Sequence, residues 1–68
     1  MRDRLERLVA EMVERGILFE DALLAFEKTF IVKVLERTGG NVSDAARELR
    51  IHRNTLSRKM AEHRLKKQ

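Results

Sequence analysis

The chain has 68 residues, 38% of them charged, with no cysteine and no proline and a formal net charge of +4. That length holds one domain whose core is small relative to its surface, so folding calls for an additional staple. Without cysteine the staple is neither a disulfide nor a thiolate metal site, and His52 and His63 alone do not make a zinc centre.

The first helix is expected from about Arg2 to Arg15. Leu5, Leu8, Val9, Met12 and Val13 recur at the spacing of one apolar stripe, with Arg4, Arg7, Glu11 and Glu14 on the other face. Gly16 ends this helix, because glycine enters a left-handed cap at no steric cost. Ile17, Leu18 and Phe19 then form a short hydrophobic connector that is expected to be packed.

A second helix is expected to start at Glu20 or Asp21, where acidic side chains suit the positive end of the helix dipole. It runs to about Thr38 and is closed by Gly39 and Gly40. Leu23, Phe26, Phe30 and Val34 form one face at 100° per residue, and Leu24, Ile31 and Leu35 a neighbouring one. Ala25 and Val32 lie almost opposite the first face. A helix that is apolar on most sides is buried on most sides. A chain this short has little else to cover it, so a homodimer is expected. Its core and interface would be built from Leu5, Leu8, Val9, Met12, Leu23, Phe26, Phe30, Ile31 and Val34. The alternative is a monomeric three- or four-helix bundle with the second helix at its centre.

Asn41 follows the two glycines as an N-cap, its side chain able to accept the free amides of the next turn. Asp44, three residues on, is an imperfect capping-box partner that also favours the helix N-terminus. This third helix runs to about Arg50, with Val42, Ala46 and Leu49 inward. Small Ala45 and Ala46 allow another helix to cross closely. Ile51 plugs the turn, and the last helix starts at His52 or Arg53, with Leu56 and Met60 inward and His63 on the same side. Together these two helices read as a helix-turn-helix.

Residues 1–40 hold 7 Lys+Arg against 8 Asp+Glu, whereas residues 41–68 hold 8 against 3. The whole positive excess sits on the helix-turn-helix, which points to double-stranded DNA as partner. The plainer reading is a solvated basic tail at Arg64, Lys66 and Lys67. A recognition helix entering tip-first places His52, Arg53 and Asn54 at base edges. Thr55, Ser57, Arg58 and Lys59 are better placed for the backbone, as are Asn41 and Ser43 at the third helix's free N-terminus. His52 serves equally well as an N-cap, and Arg53 and Arg58 as ordinary surface arginines.

A competing function is a helical dimerisation or protein-interaction module with an incidental basic flank. An enzyme is not expected: no phosphate loop is present, and Ser43 and Ser57 have no His/Asp constellation. No cofactor, metal or small-molecule substrate is expected either. The longest apolar run, Ala22 to Phe26, is too short for a membrane span, and Met1–Arg4 is not followed by a signal core. A cytoplasmic chain with no membrane partner is therefore expected.

The run ERTGGN at Glu36–Asn41, the pair Ala45 and Ala46, and RNTLSRK at Arg53–Lys59 carry a resemblance. From about Glu20 to Leu65 the chain resembles the Fis family, the factor-for-inversion-stimulation type of DNA-binding protein. It is equally similar to the C-terminal DNA-binding domain of NtrC-type bacterial enhancer-binding activators. The resemblance implies an all-α fold of four helices in a single domain. Residues 1–38 would form an intertwined dimeric four-helix core, and residues 41–65 the helix-turn-helix. It implies phosphate contacts at Asn41 and Ser43, base reading at His52 and Arg53, and backbone contacts at Thr55 and Arg58. It also implies bent DNA, a nucleoid location and a role in bacterial transcription.

Three residues depart from the family pattern. Arg50 stands where a turn glycine is usual and must either accept a positive φ or alter the turn, His52 stands where a small polar cap is usual, and Ser57 where a further cation is frequent. The Fis-type N-terminal arm that contacts recombinases is not expected, since the chain begins almost directly with a helix. Its Met1 start and short length favour a free-standing regulator over the excised end of a larger activator.

Overall fold

The computed structural model describes residues 2–65, so Lys66 and Lys67 of the basic tail lie outside the described residues. Four helices follow in order: α1 (Arg2–Glu14), α2 (Phe19–Arg37), α3 (Val42–Leu49) and α4 (Arg53–Glu62). The described residues contain no strand, so the fold is all-α as expected.

Helix ends follow their local chemistry. α2 begins at Phe19, ahead of the expected Glu20 or Asp21, because Leu18 in extended conformation supplies the first acceptor. The Ala22 N–H donates to the Leu18 carbonyl at 2.9 Å, which leaves Glu20 and Asp21 in the first turn beside the helix dipole. At the other end Gly39 and Gly40 take φ of 64° and 84° in succession, a pair of left-handed residues that glycine adopts without penalty. The Gly40 N–H reaches back to the Leu35 carbonyl at 2.9 Å and closes the helix.

The core sits at the C-terminal half of α2, where α3 and α4 dock on it. Ile31, Val42, Ala45, Ala46, Leu56 and Met60 are buried, and Val34, Leu35, Leu49, Ile51 and Leu65 pack around them. Ala45, Leu56 and Met60 are fully buried. The small side chain of Ala45 lets α4 cross α3 closely enough for Leu56 and Met60 to reach α2.

Away from this core the single chain covers little. α1 contributes no buried residue, with Leu5, Leu8 and Val9 exposed and Met12 half-buried. Leu23, Phe26 and Phe30 of α2 are exposed, and Phe26 and Phe30 form a ring pair with centroids 5.7 Å apart. The connector does not pack as expected. Leu18 and Phe19 are 69% and 76% exposed, so the described residues cover little of that end. α2 is therefore not the centre of a closed monomeric bundle.

The accessible surface makes the same point. It is 5985 Å², against about 4,500 Å² for a compact folded monomer of this mass. The radius of gyration is 13.6 Å, where a compact domain of this length has about 11 Å. An excess of roughly 1,500 Å² per chain is what obligate dimers bury.

The α3–α4 turn is tight. Arg50 caps α3 with φ 56° and ψ 43°, so it takes the left-handed conformation instead of reshaping the turn. The Ile51 N–H donates to the Ala46 carbonyl at 3.1 Å, which seats Ile51 under the turn. A left-handed non-glycine residue costs about 1–2 kcal/mol, of which glycine's larger folding entropy offsets about 0.5–1 kcal/mol. Arg50→Gly is therefore expected to raise the urea midpoint of unfolding, by about 0.5–1 kcal/mol in stability. A lowered midpoint would mean that the Arg50 side chain stabilises the turn by more than its backbone costs.

Candidate nucleic-acid interface

The interface is built from two helix starts. At α3 the Asn41 side chain accepts from the Asp44 N–H at 3.0 Å, as its position after the glycines requires. Asp44 does not return the bond as a capping box would. Its carboxylate pairs with Arg47 at 3.3 Å instead. Gly39, Gly40, Asn41, Val42, Ser43 and Arg53 line one open cleft. The structure thus brings Asn41 and Ser43, at the positive end of the α3 dipole, into one cleft with Arg53 from the first turn of α4.

At α4 the cap is a histidine. His52 is extended at φ −67° and ψ 143°, and its Nδ1 accepts from the Asn54 N–H at 3.0 Å. The N-cap role, one of the two expected for His52, is present, and it fixes the ring chemistry. With Nδ1 accepting, the neutral ring carries its proton on Nε2, so His52 presents a donor at the tip of the helix. Arg53 and Asn54 are exposed beside it, and Arg58 is exposed further along. Thr55 and Ser57 are half-buried. Neither Arg53 nor Arg58 makes an ion pair among the described residues. The first turn of α4 also contains no acidic residue, so nothing on it repels a polyanion.

Lys59, expected at the DNA backbone, has a partner within the chain. Its Nζ donates to Glu27 Oε2 of α2 at 2.9 Å, and the side chain is two-thirds covered, so the ammonium faces the protein and not an outer surface. His63 Nε2 lies 2.8 Å from the other oxygen of the same carboxylate, with its side chain only 6% exposed. Sequence reasoning placed His63 inward but missed Glu27. The available signal was a charge inside the apolar stripe of α2, one turn from both Leu23 and Ile31. The hydrogen bond from Lys59, and then that from His63, holds the Glu27 carboxyl below the ordinary glutamate range.

Among the described residues no cluster of His, Cys, Asp or Glu could hold a metal ion, and no helix is long and apolar enough to cross a membrane. A family model described as "Bacterial regulatory protein, Fis family" matches residues 22–63, which is more than half of the chain. No curated protein and no solved structure matches the chain significantly.

The Glu27 geometry sets a pH dependence. Because its folded-state pKa is lowered, its contribution to stability is complete above the unfolded carboxylate value of about 4.3. That contribution is lost as pH falls through the lower folded value. The gap in urea midpoint between the wild-type chain and Glu27→Gln is expected to shrink between about pH 6 and about pH 3. A gap that does not change with pH would assign Glu27 no charge-dependent role in stability.

Proposed function

The chain belongs to the Fis family of bacterial regulatory proteins, DNA-binding helix-turn-helix regulators, and we propose that it binds duplex DNA as a symmetric homodimer to regulate transcription. The observation that carries this reading is the cleft where Arg53 meets Asn41 and Ser43 at the free start of α3. An anionic backbone laid there meets backbone amides, an amide side chain, a hydroxyl and a guanidinium at once.

In this reading the N-terminal turn of α4 enters the major groove. Arg53 takes guanine O6 and N7 in a bidentate pair, Asn54 suits adenine, and His52 offers its Nε2 proton to a base acceptor. Asn41, Ser43, Thr55, Ser57 and Arg58 hold phosphates and fix the register. Lys59, engaged with Glu27, is left out of this set.

The dimer is supported by the apolar surface that one chain leaves open on α1 and α2. Two reading heads related by a twofold axis read a pseudo-palindromic site. If they sit closer than the ~34 Å groove repeat of straight DNA, the duplex bends toward them and flexible steps add indirect readout. Such a dimer serves equally as a free-standing regulator or as the DNA-binding end of a larger activator.

Titration against a mixed-sequence duplex between about 50 and 200 mM salt is the first test, since phosphate contacts make log K fall linearly with log salt. Binding that weakens steeply with salt is expected. No binding at ~50 mM salt would leave the dimerisation-module reading in its place. Arg53→Ala is expected to lose about 1–3 kcal/mol of preference for a guanine-containing site, with a smaller loss on mixed sequence. Equal losses on both would reassign Arg53 to a phosphate. Phe30→Asp is expected to abolish helical structure and DNA binding together, because one helix serves core and interface. A folded variant that keeps wild-type affinity would contradict the interface.

A further inference from the structure

We propose that Glu27 is a positioning residue for DNA reading, a strut from α2 that fixes the pitch and roll of α4. Both oxygens of its carboxylate are used, one by Lys59 in the second half of α4 and the other by His63, the residue that caps its C-terminus one turn on. Among the described residues these are the only side-chain hydrogen bonds or ion pairs between α2 and α4. The other ion pair from α2 to the reading head, Arg37 with Glu48 of α3, is longer at 3.6 Å and well exposed.

The apolar anchors of α4 do not fix its rotation by themselves. Leu56 and Met60 insert on one side, and packing of that kind tolerates small rolls and tilts. A carboxylate receiving donors from positions four apart on one helix face removes that freedom. The helix is also a lever. Arg53 lies ten residues before His63, roughly 15 Å along the axis. A tilt of about 10° at the strut therefore moves the tip by about 2.5 Å, comparable to a whole hydrogen-bond length. Partly covered ion pairs contribute little to stability, and orientation is the property such a pair can specify. In a dimer the same strut acts twice, so it sets the separation of the two reading tips.

The inference rests on the DNA-binding dimer above, and its test separates the two. Duplexes bound by the wild-type chain are selected from random-sequence DNA. The selection is repeated with Glu27→Gln, Lys59→Met and Lys59→Arg, each first checked for helical folding. Wild type and Lys59→Arg are expected to return one half-site separation. Glu27→Gln and Lys59→Met are expected to return a spread. Their affinity ratio between the preferred duplex and one lengthened by two base pairs should fall about tenfold, the order of coupling within a charged network. Should Glu27→Gln not fold, Lys59→Met carries the comparison, since its apolar stem retains the packing of the lysine. If both variants weaken binding to all duplexes equally and keep the single separation, the pair is merely structural and the proposal is overturned. If the wild-type chain selects no duplex, the DNA reading is overturned and this proposal falls with it.

Discussion

Ile31, Val34 and Leu35 of α2 face the helix-turn-helix, while Leu23, Leu24, Phe26 and Phe30 of the same helix lie open to water. One helix is thus asked to complete two cores, and a single chain completes only the first. Exposed apolar surface on this scale is unfavourable in a small domain, and a second core would draw its cover from outside the chain. The α1 stripe of Leu5, Leu8 and Val9 is equally open and has the matching chemistry. A second copy would supply both at once, and folding, association and the pairing of reading heads would then be a single event.

From that shared helix the reading head is placed by a few short-range devices. Gly39 and Gly40 turn the chain out of α2, Asn41 starts α3, and left-handed Arg50 and the His52 cap set the angle at which α4 departs. Each device satisfies backbone groups that a tight turn would otherwise leave unpaired. The result is that the cationic first turn of α4 and the amide-rich start of α3 share one cleft. Glu27 then ties the far end of α4 back to α2, the helix that carries the open apolar surface.

Much of this was legible in the sequence because it is local. Period-3.6 stripes, paired glycines, an Asn cap and the small residues at Ala45 and Ala46 each act within a few positions, and the helix boundaries follow them to within a residue or two. The αL conformation at Arg50 was one of two outcomes the sequence allowed, and the His52 cap one of two roles. What remained hidden was tertiary. Glu27 meets Lys59 and His63 across 32 and 36 positions, and no periodicity encodes a contact at that separation. Lys59 therefore looked like any other cation of the last helix. The connector at Ile17–Phe19 was expected to be packed because it is apolar, but apolar character does not say whether the cover comes from the same chain.

The coupling of folding to association is tested most directly by urea unfolding at several protein concentrations, followed by circular dichroism. For an obligate dimer the midpoint must rise with protein concentration, because association stabilises the folded state by mass action. A midpoint that rises steadily over a hundredfold range of concentration is the predicted result. A cooperative transition whose midpoint stays fixed over that range would show that one chain folds alone, and would contradict the account at its centre.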